Sequence, residues 1–336
     1  MSGLVYRPTT TAYNYGRPPV ISQSGHSEFS VKYHELRRLL LQHAIISRLQ
    51  SVPANPATSS LQGLVRLNHR LNWDALLELV ANSSVVRESP VCMEQLDARG
   101  PAGGQDFGWI AYRTRVPSGG TQLNVSGTMR DRAQLFVDGQ LVDTVYNSRL
   151  SPFSVTTTLH PSRARSNGSA SAASVLEIVV ENTGRSSFGL LDEQRKGFEG
   201  LAMVDGKPVR SRWEHYSIDF SDAFVTAVRH SKAWIPTGRP LTSIQRQPTV
   251  YRGHFKVRQV KDTYVDMSRW RKGLVVVNGF VLGRYWNVGP QQSLYVPSPI
   301  LMHGSNEILV FELERTVKAA VKFVAGSSSD RHKHRG

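Results

Sequence analysis

Four glutamates lie in or beside apolar runs of this chain: Glu181, Glu307, Glu312 and Glu314. Two carboxyl groups that work together as general acid and base must face one another across a pocket in opposite protonation states. None of the four has an acidic partner at a suitable spacing, so they are expected at the surface or at strand edges. Cys92 is the only cysteine, which excludes an internal disulfide and a cysteine-rich zinc site, and it reads as a packed thiol. His332 and His334 sit in the polar tail SSSDRHKHRG with no carboxylate pair beside them, a poor closed metal site, and neither a metal nor another cofactor is expected. Arg284, Tyr285 and Trp286 form a consecutive cation, phenol and indole that could be a ligand platform or the closing end of a buried hairpin.

The elements around that triplet are legible. A type I′ turn needs positive φ at both central residues, which Asn tolerates and Gly accepts freely, so Asn278-Gly279 should join a strand at 274–277 to one at 280–282. The pattern recurs. GWIAYRTRV (108–116), LFVDGQLV (135–142) and VLEIVVEN (175–182) are followed, in the same order, by YRGHFKV (251–257), LVVVNGFVLG (274–283) and NEILVFELE (306–314). Strand, Asx-Gly hairpin and apolar strand repeat, which predicts an all-β protein of two jelly-roll-like antiparallel β-sandwiches, at 58–207 and 208–325. Residues 326–336 then read as a disordered basic tail.

The first 52 residues differ. Phe29, Tyr33, Leu36, Leu40 and Ala44 recur at three- and four-residue steps with charges between them, the mark of an amphipathic helix over 27–49. A Pro/Tyr/Gly-rich loop precedes it and SVPANPATSS follows with linker composition. Such a strand-loop-helix piece has no core of its own.

With 336 residues and 40% apolar content the chain is long enough for two or three domains. Its formal charge of +15 would favour polyanions, yet the 41 Lys and Arg are scattered singly or in pairs, without a basic stripe interleaved with aromatics. No specific nucleic-acid partner is expected. The N-terminus lacks the apolar run of a signal peptide and no segment has the length of a membrane span, so no membrane partner is expected either. Sequons at Asn82, Asn124 and Asn167 would matter only in a secreted protein.

The longest motif, VNGFVLGRYWNVGPQQSLYVPSPIL (277–301), resembles the signature of the last β-domain in family 35 glycoside hydrolases, the β-galactosidases. LFVDGQLV and VVENTGRSSFG (179–189) resemble that family's first β-domain, Trp213 and Tyr216 in WEHYSID fit the entry to its second, and AYNYGRPPVISQSG (12–25) resembles the segment closing its catalytic barrel. The resemblance implies a (β/α)8 barrel followed by β-domains, with residues 1–52 as the barrel's remnant. Both catalytic glutamates of the family lie on barrel strands ahead of the matching region, so no catalytic residue is carried over. One strand and one helix cannot close a ring of eight.

The resemblance further implies that Tyr15 is a galactose-binding residue, although Asn14 and Gly16 replace the family's neighbouring acids and Gln23 stands at another usual acid. The expected role is the bracing of a catalytic barrel, in the same or a companion chain, that acts on terminal β-galactosides or another glycan. The family suggests a lysosomal, vacuolar or extracellular setting. A different class of function, a free-standing carbohydrate-binding module, would use exposed platforms such as Trp109, Trp234 or Trp286. An acidic-polymer binder exploiting the net charge has the least support.

Overall fold

A computed structural model describes residues 31–43, 64–96, 104–117, 119–146, 152–159, 173–185, 194–238, 247–289, 292–314 and 319–325. Four antiparallel sheets form two sandwiches, each with one sheet of six strands and one of four. The chain divides into two units, one of residues 71–234 and 240–247, the other of residues 1–70, 235–239 and 248–336.

In the unit containing residues 71–234, the six-stranded sheet runs Val85–Arg87, Trp213–Ile218, Trp109–Val116, Ser174–Glu181, Arg132–Val137, Gln140–Tyr146. The four-stranded sheet runs Lys207–Pro208, Gly197–Val204, Gln122–Arg130, Phe153–Thr158. Side chains alternate across a pleated strand. Ile110, Tyr112 and Val116 therefore join Leu176, Ile178, Val180, Phe198 and Trp213 in one core, while Arg113 and Arg115 turn to the other face. Each fully buried side chain of this size contributes roughly 1.5–3 kcal/mol. His215 belongs to the same interior: Val91 N–H donates to Nε2 at 3.1 Å while Nδ1 lies 2.9 Å from the Val85 carbonyl, which requires the neutral ring protonated at Nδ1. Burial accordingly holds its pKa below the ordinary value.

Two short helices belong to this unit, α2 over Trp73–Leu79 and α3 over Asp222–His230, numbered after α1 at Val31–His43. Ser221 caps α3 by accepting a hydrogen bond from Phe224 N at 3.3 Å, and Phe224, Val225 and Val228 form its buried face. Trp109, opposite in direction to Ile110, meets Phe220 edge-on at 5.5 Å, and Phe220 meets Phe224 at 5.1 Å.

The other unit repeats the plan. Its six-stranded sheet runs Ile235–Pro236, His69–Leu71, Thr249–Val257, Gly304–Glu312, Lys272–Val277, Phe280–Trp286, and its four-stranded sheet runs Leu64–Arg66, Ala320–Val324, Thr263–Asp266, Ser293–Val296. Phe255, Val257, Val275, Val277, Ile308, Val310 and Phe323 fill the interior. Of α1, the expected helix 27–49, residues Val31–His43 are described, with Leu36, Leu39, Leu40 and Leu41 exposed.

The expected linear division at 207/208 differs from the observed one. Trp213–Ile218, placed by the sequence in the second sandwich, pairs antiparallel with Trp109–Val116 inside the first, and Leu64–Arg66, placed in the first, pairs with Ala320–Val324 inside the second. A sheet adds strands wherever an edge has unpaired donors and acceptors, regardless of sequence distance, so the opening strand of each expected segment pairs in the other sandwich.

The repeat extends to single residues. Asp138-Gly139 and Asn278-Gly279 occupy the two hairpin turns with φ of 50° and 75°, and 52° and 89°. In each, the Asx side chain accepts from the first part of the neighbouring strand: Val175 N to Asp138 Oδ1 at 2.8 Å, Glu307 N to Asn278 Oδ1 at 2.9 Å. A register shift falls at the same place in both hairpins, at Leu135/Phe136 and Val275/Val276. The opposing ends pair a cation with an aromatic ring, Arg132 over Tyr146 at 5.5 Å and Lys272 over Trp286 at 3.9 Å.

Candidate functional site

A cleft of about 940 Å³ opens on the outer face of the first six-stranded sheet. Alternation supplies its walls: Arg113 and Arg115 from Trp109–Val116, Val175 and Glu177 from Ser174–Glu181, Glu214 and Tyr216 from Trp213–Ile218. These strands are neighbours in the sheet although their residues are far apart in sequence. Asp74 enters from the first turn of α2, and Gln247 completes the floor.

Glu177 organises that floor. Its Oε1 accepts from Trp73 Nε1 at 3.1 Å, Arg113 Nε at 2.9 Å and Arg113 Nη2 at 2.7 Å, while Oε2 accepts from Gln247 Nε2. The same Arg113 Nη2 donates to Asp74 Oδ1. Burial pushes the Glu177 carboxyl above its usual range, and Arg113 pulls the other way. For Arg113, burial opposes the charge, but Glu177 and Asp74 outweigh it and hold the guanidinium firmly protonated. Tyr216 donates to Glu214 Oε2 at 2.7 Å, and its pKa is pushed up to about 12 by burial and that carboxylate. Four carboxylates and three guanidinium groups line the cleft, leaving it close to neutral.

The glutamates singled out in the sequence do not meet in this cleft, and two correct the expectation of surface or edge positions. Glu181 is 1% exposed and Glu312 is 0% exposed. Glu312 Oε2 accepts from Arg271 N at 3.0 Å and Tyr285 Oη at 3.2 Å, and Oε1 from Lys272 N at 3.2 Å and Glu314 N at 2.9 Å. Burial nevertheless raises its pKa to about 7. These donors arrive from the neighbouring hairpin of Lys272–Val277 and Phe280–Trp286 and from the strand's own continuation, and no local spacing announces them.

The aromatic residues separate just as clearly. Tyr285 is buried, the one proton of its hydroxyl shared between Glu312 Oε2 and the Phe311 carbonyl at 3.0 Å, whereas Trp286 is half-buried beneath Lys272. The triplet closes a hairpin. Trp109 is fully buried and is therefore no exposed platform; Trp234 is half-buried and donates from Nε1 to the Val228 carbonyl at 3.1 Å. Cys92 is buried, and burial together with Glu199 drives its thiol pKa up, consistent with a packed thiol. Tyr15, the linker after α1 and the tail with His332 and His334 lie outside the described residues. The cleft residues Arg113, Glu177 and Glu214 were missed, and the available signal was three charged residues on outward positions of strands otherwise rich in apolar residues.

Two family models match this chain: the first all-beta domain of beta-galactosidase over residues 90–219 and its galactose-binding domain over residues 248–306. These define a pair of β-domains from carbohydrate-active enzymes. The chain belongs to the β-galactosidase family and carries its C-terminal β-domain portion. It is 30% identical over 314 residues to beta-galactosidase-1-like protein 2 of Homo sapiens, covering 91% of this chain and 44% of that protein. It is also 30% identical over 335 residues to beta-galactosidase of Bos taurus, covering 93% and 46%, and 28% identical over 334 residues to beta-galactosidase 17 of Arabidopsis thaliana, covering 92% and 44%. The chain thus spans less than half the length of these relatives.

Proposed function

We propose that these sandwiches are the non-catalytic part of a β-galactosidase-type glycoside hydrolase, bracing a catalytic barrel from the same or a companion chain and inactive on glycosides alone. The observation that carries the reading is the state of Glu177. Retaining hydrolysis needs a carboxylate oxygen open to the sugar's anomeric carbon, with a second carboxyl about 5 Å away. Both Glu177 oxygens are engaged by protein donors, and its acidic neighbour Asp74 shares the same guanidinium. Glu177 and Asp74 therefore balance one arginine instead of dividing acid and nucleophile roles between them, while Glu214 and Asp138 accept from Tyr216 and from the Val175 amide.

The exposed leucines of α1 support the bracing role, since an apolar helix face gains stability when another element covers it. Tyr15 would contact galactose once a barrel is present. The test is turnover of a chromogenic β-galactoside by the chain expressed alone in a host lacking β-galactosidase, beside the chain supplied with a family barrel. No turnover alone and turnover with the barrel is expected. Enzyme-like turnover by the isolated chain, abolished by Glu177→Gln, would overturn the reading.

A further inference from the structure

We infer that the cleft around Arg113 and Glu177 is a non-catalytic binding site for a neutral saccharide, separate from the segment matched by the galactose-binding model. Its volume of about 940 Å³ suits a short oligosaccharide, at the upper end of the roughly 300–1,000 Å³ usual for ligand pockets. The charge of its lining points to the ligand class. A chain of formal charge +15 has here a lining within one charge of neutrality, so the cleft lacks the field that would gather a polyanion.

The hydrogen-bonding inventory narrows the class further. Asp74 Oδ2 and Glu214 Oε1 accept no hydrogen bond from described residues, while the other oxygen of each is fixed, by Arg113 and by Tyr216. The Arg115 guanidinium and Arg113 Nη1 are donors with no described acceptor. Oriented acceptors and uncommitted donors lining one cleft match a ring's hydroxyls, each of which donates and accepts. Because the acceptors are already oriented, little ordering is left to oppose binding. Tyr216 is nearly buried and one ring face lies 6.0 Å from the Arg113 carbon Cζ, so recognition rests on polar contacts and not on ring stacking.

This inference is independent of hydrolysis, because a chain with no barrel would still bind. The experiment is saturation-transfer NMR on the full chain with lactose, a glucuronate-bearing disaccharide and inorganic polyphosphate, repeated with Arg115→Ala and Glu214→Gln. Arg115 is exposed and Glu214 partly so, and thermal denaturation would verify that both variants fold. Transfer to lactose, weakened at least about tenfold in both variants, equivalent to 1.4 kcal/mol, is the expected result. Three results would overturn it: no transfer to lactose, transfer unchanged by either substitution, which would put binding elsewhere on the chain, or preferred binding of polyphosphate displaceable by salt.

Discussion

Arg113 grips a single oxygen of Glu177 with two nitrogens, Nε at 2.9 Å and Nη2 at 2.7 Å, leaving the second oxygen to Gln247. The pair lies on adjacent strands in direct register. Glu177 has only 3% of its side chain exposed against 26% for Arg113, so most of the desolvation falls on the carboxylate.

Removing the cation should therefore cost more than removing the pair. Arg113→Met is expected to destabilise the protein by about 3–5 kcal/mol by leaving a buried carboxylate without its partner. Arg113→Met combined with Glu177→Leu should recover at least half of that loss. Urea denaturation of the two variants and the parent checks the order, and equal losses would remove the pairing argument.

Glu312 makes one contribution to stability depend on pH. Its folded pKa of about 7 stands above the model-peptide value near 4.3, so the folded state binds the extra proton between those limits. Stability from this group is then full below about pH 4 and declines as pH rises to 7, by roughly 3 kcal/mol in total. Glu312→Gln cannot titrate. The stability of the parent minus that of the variant should fall by that amount from pH 4.5 to 7.5 in denaturant melts, and a flat difference would refute it.

Gly273 lies opposite Tyr285 and beside Phe311. A methyl group there would stand 1.8 Å from the Phe311 carbonyl oxygen and 2.7 Å from the Tyr285 hydroxyl. Gly273→Ala is expected to lower stability by about 3 kcal/mol through strand displacement. In the other unit the same paired positions are Ala133 and Val145, where no hydroxyl reaches across. Ala133→Gly should cost only about 1 kcal/mol, and calorimetry of both variants reads the contrast.

Asn278 combines a backbone and a side-chain demand. Besides its φ of 52°, Nδ2 donates to the Ile300 carbonyl at 2.8 Å and to Asn306 Oδ1 at 2.7 Å. Asn278→Gly keeps the turn and loses these bonds, at about 2 kcal/mol. Asn278→Ala loses both, and a further destabilisation of about 1 kcal/mol is expected in thermal melts.

The hairpins were legible because their chemistry is local. Asp138-Gly139 and Asn278-Gly279 meet the positive-φ requirement by composition, and the alternating runs around them fix which side chains share a face. Helices α2 and α3 were not anticipated, since seven and nine residues give only about two turns of apolar periodicity. Glu181 and Glu312 were misplaced because carboxylates on a strand's last position usually face water.

By itself the sequence determined an all-β protein, two copies of one strand-hairpin-strand plan, and the residues that make each turn. These follow from steric limits on φ and from a side-chain period of two. Only the tertiary structure decided that Trp213–Ile218 would join the first sheet, that Glu312 would be ringed by four donors, and that Arg113, Glu177 and Glu214 would face one cleft. Strand neighbours are chosen by hydrogen-bonding edges brought together through space, and the solvation of a charge depends on what those neighbours bring with them.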